Sequence, residues 1–337
     1  MQDIQVPDER PEESGAQTID YPPKYQTAPA STNVWLRSLT SLALYLLLGY
    51  YIFPSYEMLL LITGIVMFHE LGHFLAMKYF RYNDLGIFFI PLLGAYVSGT
   101  KREVSQRQSA IILLAGPLPG VLLGIGLYFL DRHLGGIYWG DISLYTTSLL
   151  LILLNLLNLL PIYPLDGGQL LNRVFLDEES LVSRIFIFVS VAAMAWFAWH
   201  MYSRSGNAFY LALIAFPVML LLRLRTDARY TVVEKKLEAA GINLDTSYEE
   251  MPDEDYWKIR DVLIETQPAF RDLQPGPPYS YSDREDKMML QVQGSLQRNL
   301  IQDVSLPGKI VLLLIWIGAF AAPWLLELDL RFFERFR

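Results

Sequence analysis

Apolar residues are gathered in about seven long runs, which alternate with short polar stretches and with one long polar block near the C-terminus. Most of these runs approach or exceed the ~18–20 residues that a helix needs to cross a bilayer. The pattern therefore predicts an all-α polytopic membrane protein with about seven transmembrane helices. The predicted spans are Leu36–Phe53, Met58–Tyr79, Ser109–Leu130, Ile142–Leu160, Leu181–Met201, Ala208–Leu224 and Ile310–Leu326.

One further apolar segment, Leu85–Gly99, is too short for a spanning helix and is interrupted by Pro91 and Gly94. The alternation around Ala95–Ser98 is typical of a strand. Irregular backbone survives at membrane depth where it lines a cavity in the protein. We therefore predict a short membrane-embedded β-hairpin near the active site, and an interfacial loop fits the same pattern equally well.

The chain divides into four predicted regions. Residues 1–34 form a disordered N-terminal tail, because this stretch is rich in charged residues and proline and has no apolar run. Residues 35–224 form a membrane core of six spans, residues 225–308 a small polar domain, and residues 309–337 the seventh span with a short tail. Lys and Arg are concentrated on the side of the predicted membrane where the N-terminus lies, which places the tail and the polar domain in the cytoplasm.

Composition supports a membrane protein and limits its chemistry. Of the 337 residues, 53% are hydrophobic, and the formal net charge is −8, which argues against nucleic-acid binding. The chain has no Cys, so disulfides and thiolate metal ligands are excluded. Any metal ion must be held by His and carboxylate side chains.

The candidate chemistry lies within the apolar run Met58–Tyr79, as the sequence His-Glu-Leu-Gly-His at residues 69–73. On a helix, residues four apart face the same side, so His69 and His73 can bind one metal ion. The Glu between them can reach a water on that ion, which is the arrangement of zinc hydrolases. Glu70 is also costly in hydrocarbon, and this favours a functional role. The alternative is a chance match, since the pentapeptide also occurs in unrelated helices.

A second candidate residue, Asp166, follows the fourth apolar run. Pro161 and Pro164 must end or unwind the helix, and Gly167 and Gly168 allow a tight turn. Asp166 is thus presented from non-helical backbone. Taken alone, this pattern is better explained as a helix-terminating turn with a solvated Asp.

The His pair and Asp166 are predicted to lie at a similar depth in the membrane, which strengthens the case for both. The second and fourth spans run in the same direction, and His69 lies roughly 18 Å along the second span at about 1.5 Å per residue. The end of the fourth span reaches a similar depth. His69, His73 and Asp166 can therefore converge on one metal ion and leave a fourth position open, as catalytic zinc sites do.

These residues resemble the site-2 protease family of intramembrane zinc metalloproteases. The matching elements are the His-Glu-x-x-His at residues 69–73 and the Asn-x-x-Pro-x-x-x-Leu-Asp-Gly at residues 158–167, in that order and on separate spans. The apolar segment around Gly94 is similar to the family's membrane-embedded strand, and Gly116-Pro117 to its Gly-Pro element. The chain departs from the pattern at Gly120, where many members carry Asn. No insertion is long enough for a PDZ domain.

The resemblance implies an activity and a set of functional residues. His69, His73 and Asp166 would bind one Zn²⁺ per chain, and Glu70 would act as the general base. Asn158 would orient the substrate or stabilise the oxyanion.

The substrate would be a transmembrane protein within the lipid bilayer, cleaved in regulated intramembrane proteolysis. Its helix must unwind before it is cut, and a strand edge can hold the unwound segment by strand addition. This predicts contacts with the substrate at Gly94, Ala95, Tyr96 and Val97.

Two other functions compete with the protease. A non-proteolytic relative would use the same fold as a membrane chaperone or binding protein, but such a relative would be expected to have lost metal ligands. A proton-coupled transporter would use the His and Glu side chains as a proton path. Transporters usually show internal repeats and several scattered ionisable residues, and this sequence shows neither.

Overall fold

A computed structural model describes residues 21–26, 33–53, 55–91, 94–101, 104–176, 180–206, 232–244, 246–296 and 300–328, with isolated positions at 210, 214, 217, 218 and 221. The chain forms two compact units. The membrane unit comprises Ala30–Arg229 with Arg298–Arg337, and the polar unit comprises Met1–Pro29 with Tyr230–Gln297. The predicted sixth span, Ala208–Leu224, lies almost entirely outside the described residues.

The membrane unit begins with two apolar helices, α1 (Val34–Gly49) and α2 (Tyr56–Tyr79). The side chain of Ser55 caps α2 by accepting a hydrogen bond from the Met58 N–H at 3.2 Å, which satisfies one of the free donors at the helix start. Helix α2 exposes large apolar side chains along much of its surface but buries the polar residues of its middle part, Thr63, His69, Glu70 and His73. This inverted pattern is the one expected of a helix surrounded by lipid.

An antiparallel hairpin follows, made of β1 (Asn83–Ile90) and β2 (Gly94–Thr100). In its register Phe89 lies opposite Ala95, and Ile87 lies opposite Val97. The sheet contains these two strands and no other strand from the described residues. The hairpin thus occupies the predicted segment, and its location within a membrane stays a prediction.

Five more helices follow in the described residues of the first part of the membrane unit. After the short strand β3 (Val104–Ser105), helices α3 (Gln106–Ala115) and α4 (Pro117–Leu134) follow each other with a break at Gly116. Two short strands, β4 (Tyr138–Trp139) and β5 (Ile142–Ser143), lead into α5 (Leu144–Asn158). The chain then forms α6 (Asp166–Leu170), a π-helical turn (Leu171–Leu176) and α7 (Leu181–Ser205).

The polar unit has its own hydrophobic core. A helical segment over residues 232–239 packs with α8 (Asp253–Thr266), a 3₁₀ turn (Pro268–Phe270) and α9 (Glu285–Ser295). Trp257 and Tyr256 are fully buried in this core. Residues 21–26 also lie against this unit, although the sequence predicts a disordered tail up to residue 34. Aromatic side chains of the unit hold them in place, and the tail's composition gives no sign of these partners.

The chain returns to the membrane unit with β6 (Leu300–Ile301) and α10 (Leu306–Leu325). Strand β6 pairs in parallel with β3, and Asp303 accepts hydrogen bonds from the Ser105 hydroxyl and the Arg107 N–H. The membrane unit is therefore built from two separate parts of the sequence, and the Tyr230–Gln297 part of the polar unit lies between them in the sequence.

The described residues are mostly helical, as predicted. Four helical stretches are long and apolar enough to cross a membrane: Tyr56–Tyr79, Gln106–Leu134, Leu181–Ser205 and Leu306–Leu325. Val34–Gly49 and Leu144–Asn158 are apolar but shorter than predicted. Helix α5 ends at Asn158 because Pro161 cannot donate a backbone hydrogen bond and disfavours helix in the residue before it. The total of seven spans stays a prediction.

Candidate metal centre

Three potential ligand atoms from two distant parts of the sequence converge in the membrane unit. The Nε2 atoms of His69 and His73 are 3.1 Å apart. The Oδ2 atom of Asp166 lies 3.0 Å from the Nε2 of His69 and 3.3 Å from the Nε2 of His73. This is the group of side chains that the sequence predicts as metal ligands, and all three are buried.

Hydrogen bonds at Nδ1, on the side of each ring away from the cluster, determine which nitrogen of each neutral imidazole carries the proton. The Nδ1 of His69 lies 2.8 Å from the Oδ1 of Asn155, whose own amide nitrogen donates to the Leu151 carbonyl at 2.8 Å. The Nδ1 of His73 lies 2.7 Å from the carbonyl oxygen of Ile112. Since both partners accept, each Nδ1 must carry a proton and donate it. In its neutral form, each ring then presents the lone pair of Nε2 to the centre of the cluster.

The donor set fits a zinc ion. Two lone pairs and a carboxylate oxygen face one another at close range, an arrangement that is repulsive unless a cation or added protons lie between them. With Zn–N and Zn–O bonds of about 2.0–2.2 Å, the ligand atoms of a tetrahedral site lie about 3.3–3.5 Å apart. The measured separations of 3.0–3.3 Å are close to that spacing.

Close backbone contacts position Asp166 at the start of α6. A Cβ atom at Gly167 would lie 1.9 Å from the carbonyl oxygen of Leu159, and one at Gly168 would lie 2.3 Å from the carbonyl carbon of Ile162. Only glycine permits the turn to fold this tightly onto the end of α5. The indole N–H of Trp316, on α10, donates to the same Leu159 carbonyl at 2.7 Å. The last helix thus supports the loop that carries Asp166.

The break between α3 and α4 makes room for the second histidine. A Cβ atom at Gly116 would lie 2.3 Å from the Nε2 of His73. Gly72 plays a similar part, because a Cβ there would lie 1.9 Å from the carbonyl oxygen of Ala115. Sequence analysis assigns no chemistry to Gly116-Pro117. The structure shows that the missing side chain at residue 116 is what allows His73 to reach the cluster.

Glu70 lies beside the cluster and is almost completely buried, with 6% of its surface exposed. The backbone N–H of Val97, in β2, lies close enough to the Glu70 carboxylate to interact with it. The hairpin therefore reaches the carboxylate that the sequence predicts as the general base.

The free edge of β2 can be identified from the hydrogen bonds. The N–H of Phe89 donates to the Ser41 hydroxyl at 3.1 Å, so it points away from β2 and the Phe89–Ala95 pair is not hydrogen-bonded. Pair types alternate along an antiparallel ladder, which makes Ile87–Val97 non-hydrogen-bonded as well. The backbone groups of Ala95 and Val97 consequently point away from β1, in agreement with the approach of Val97 to Glu70.

The remaining predicted site residues occupy different positions. Gly94 begins β2 with a φ of +107°, a conformation that favours glycine. Tyr96 is exposed and its ring stacks on Phe88, across the strand pair. Asn158 is half-buried at the last residue of α5 and, within the described part of the chain, makes no hydrogen bond with the His–His–Asp cluster.

Sequence analysis missed Asn155, which orients His69. Its amide fills the space beside Gly120, where a Cβ atom would lie 2.2 Å from the Asn155 nitrogen. Gly120 is the position at which the sequence departs from the site-2 protease pattern. An isolated Asn one turn before the predicted Asn158, together with that departure, was the available signal.

Comparison with known proteins gives a family match and two related proteins. Residues 57–136 match the family model of Peptidase family M50. A zinc metalloprotease of Methanocaldococcus jannaschii is 31% identical over 123 residues, which are 36% of this chain and 35% of the relative. Stage IV sporulation protein FB of Bacillus subtilis is 32% identical over 117 residues, which are 35% of this chain and 40% of the relative. The chain therefore spans less than half of each relative's length.

Among solved structures, a site-2 protease from Methanocaldococcus jannaschii is similar with a TM-score of 0.39 and 23% identity. The superposition covers 54% of this chain and 83% of that protein. The family model and the two related proteins confirm the resemblance that the sequence motifs predict.

Proposed function

We propose, starting from the match of residues 57–136 to Peptidase family M50, that this chain is an intramembrane zinc endopeptidase. The family supports metalloprotease activity, and the four apolar helices support an integral membrane protein. The observation that carries the proposal is the convergence of His69, His73 and Asp166 beside the buried Glu70.

The metal proposal assigns His69 Nε2, His73 Nε2 and Asp166 Oδ2 to one Zn²⁺ ion. When bound at such a site, zinc polarises a carbonyl group and lowers the pKa of water toward about 7. With the proton on Nδ1, a neutral imidazole directs the lone pair of its Nε2 toward the metal. Asn155 and the Ile112 carbonyl hold those protons in place.

Glu70 is assigned the proton transfers of peptide hydrolysis. Its carboxylate takes a proton from the attacking water and then passes it to the nitrogen of the leaving amine. Burial keeps it next to the cluster, and the Val97 N–H helps to orient it. Asn158, at the end of α5, is proposed to orient the substrate or stabilise the oxyanion.

The proposed substrate is an unwound segment of a transmembrane protein, held along β2. A cleavable segment must have free peptide groups, and the outward backbone groups of Ala95 and Val97 offer partners for them. Gly94 and Tyr96 complete this strand. Cleavage of such substrates would release proteins from the membrane, as in regulated intramembrane proteolysis.

The proposed topology places the N-terminus and the polar unit in the cytoplasm. The distribution of Lys and Arg in the sequence favours this orientation. Residues 21–26 and 232–296 belong to one compact unit, so both lie on the same side of a membrane. An even number of spans between them, such as the predicted six, satisfies this requirement.

The test compares zinc content with cleavage rate in the full chain reconstituted in vesicles. Glu70→Gln removes the proton acceptor but none of the proposed ligands, so zinc should stay bound while cleavage falls by about 10²–10⁴-fold. Asp166→Asn replaces a charged ligand with a neutral one and should weaken zinc binding itself. Glu57→Gln is the matched control, because it makes the same change on the same helix outside the cluster.

The outcomes separate the three functions. A Glu70→Gln variant that cleaves as fast as the unmodified chain would refute the protease. Full zinc occupancy in Asp166→Asn would exclude Asp166 as a ligand. A membrane chaperone or binding protein would bind substrate without cleaving it in every variant, whereas a transporter would show transport that depends on Glu70.

A further inference from the structure

The polar unit holds an extended piece of its own chain, residues 21–26, by the backbone carbonyl groups. The indole N–H of Trp257 donates to the Pro22 carbonyl at 2.7 Å. The Tyr281 hydroxyl donates to the Pro23 carbonyl at 2.5 Å, and the Tyr248 hydroxyl donates to the Tyr25 carbonyl at 2.5 Å. Three aromatic side chains therefore donate hydrogen bonds to three carbonyl groups of a segment that has no regular secondary structure.

The same side chains form an aromatic groove around the segment. Trp257 packs against Tyr279 and Tyr281, with ring centroids 4.9 Å and 5.7 Å away. Tyr21 stacks on Tyr279 at 5.4 Å, and Tyr25 meets Tyr281 edge-on at 5.4 Å. The groove thus receives the two tyrosines that flank the Pro-Pro pair.

The groove also recognises a positive charge. The Nζ of Lys24 donates to the carbonyl oxygens of Glu249 and Met251 at 2.7 Å and 2.6 Å. Its backbone N–H donates to the Asp253 carboxylate at 2.8 Å. The Tyr25 hydroxyl donates to the Asp286 carboxylate at 3.0 Å. Two carboxylates of the unit, those of Asp253 and Asp286, therefore contact the segment.

This geometry matches the recognition of polyproline II peptides. Among the described residues, segment 21–26 makes no backbone-to-backbone hydrogen bond with the rest of the unit, which rules out binding as an added strand. Docking through carbonyl groups in an aromatic-lined groove is the mode used for proline-rich ligands, whose stiff backbone loses little entropy on binding.

The segment is a ligand of the unit and not part of its core. The buried core runs from Val233 to Val292 and contains no residue of segment 21–26. Tyr21 and Tyr25 only pack against it from outside, and both are partly exposed. The N-terminal segment therefore lies in a groove on the outside of this core.

We propose that the polar unit is a peptide-binding module for extended, proline-rich, basic segments of partner proteins. Residues 21–26, Tyr-Pro-Pro-Lys-Tyr-Gln, occupy the groove in cis and compete with the partner. The partner presents a Pro-Pro pair between aromatic residues and at least one Lys or Arg. Because a ligand within the same chain binds intramolecularly, a partner binds once the cis segment is weakened or outcompeted.

The test measures fluorescence anisotropy of a labelled Tyr-Pro-Pro-Lys-Tyr-Gln peptide with the full chain in detergent. Lys24→Glu removes the contacts of the ammonium group and repels the two carboxylates that contact the segment, so it should open the groove and tighten peptide binding by about tenfold or more. A Pro22→Ala/Pro23→Ala double variant opens the groove by a second, independent route. Lys236→Glu, a surface change in the same unit away from the groove, should bind the peptide no better than the unmodified chain.

Two further arms test specificity. Adding Tyr281→Phe to Lys24→Glu removes one hydroxyl donor at a half-exposed position and should weaken peptide binding about fivefold or more. A peptide with both prolines replaced by alanine should bind far less well. Equal binding of the two peptides, or no binding to either opened variant, would overturn the proposal. No arm of this test depends on proteolysis.

Discussion

The ring of His73 occupies the space that a side chain at Gly116 would fill. A Cβ atom at residue 116 would lie 2.3 Å from the Nε2 of His73, the atom that faces Asp166. The glycine at the break between α3 and α4 therefore leaves the space that the proposed ligand His73 needs. Adding one methyl group at residue 116 tests this relationship.

We expect Gly116→Ala to displace the His73 ring and to lower the zinc affinity of the full chain by at least tenfold, while the helices stay folded. Gly126→Ala is the control on α4, because a Cβ there meets no atom within 4 Å. Zinc titration and circular dichroism of both variants provide the measurement. Unchanged zinc affinity in Gly116→Ala would mean that Nε2 of His73 is not a ligand.

Proline substitutions in β2 test whether its free edge binds the substrate. Ala95→Pro and Val97→Pro remove N–H groups that point away from β1, so the strand pair should survive, as proline is tolerated at a free edge. Cleavage of a membrane substrate should fall at least tenfold with zinc content unchanged. Tyr96→Pro removes an N–H that faces β1 and should instead unfold the hairpin, which hydrogen exchange would detect. Ala95→Pro is the decisive variant, because the Val97 N–H also interacts with Glu70, and normal cleavage by Ala95→Pro would reject strand addition.

Asn155 is expected to act through His69. Asn155→Leu keeps the approximate shape but removes the acceptor for the Nδ1 proton, and loss of such a partner typically lowers metal affinity by about 10–100-fold. Asn155→Asp retains an acceptor oxygen and should preserve most of the affinity. Competition with a zinc chelator would measure both values. Equal losses in the two variants would point to a packing role and contradict the assignment.

The polar unit should lose stability in acid because of Glu285. Burial raises the pKa of this carboxyl, but hydrogen bonds from Tyr256 and Ser282 and the ion pair with Arg260 outweigh that effect and hold the pKa below its usual 4.5. A lowered pKa contributes stability that is fully present above about pH 4.5 and is lost as the pH falls through the folded-state value.

Hydrogen exchange of α8 and α9 between pH 7 and pH 3, corrected for intrinsic rates, would measure this loss. Glu285→Gln leaves the buried Arg260 without its charged partner and should cost about 3–5 kcal/mol at pH 7, with a flatter dependence on pH. Glu254→Gln alters an exposed pair with Lys258 and should change little. An unchanged pH profile in Glu285→Gln would show that another group controls the transition.

The sequence predicts the parts of the site that follow from local geometry. His69 and His73 share a helix face because of their spacing, and the prolines around Asp166 end α5 as their chemistry requires. The convergence of Asp166 with the histidines required an argument about depth in the membrane, and the structure places the three side chains together. These features depend on spacing and on backbone constraints, which a sequence displays directly.

Other features depend on contacts between distant residues and could not be predicted in the same way. An Asn in an apolar helix indicates that a partner exists, but only packing identifies His69 as that partner. The same holds for residues 21–26, whose polar composition resembles that of an unstructured tail. Their order comes from aromatic side chains that lie more than two hundred residues later in the sequence.

The hydrogen bond from Trp316 to Leu159 can form only after residue 316 has been synthesised. It therefore sets a minimum time for completing the proposed metal centre. The two residues are 157 positions apart, and the Tyr230–Gln297 part of the polar unit is translated between them. At about 5–20 residues per second, the ribosome reaches the tryptophan roughly 8–30 s after the leucine. The loop that presents Asp166 thus lacks this support while the nascent chain is still growing. Maturation of the centre is completed only after synthesis of the last helix.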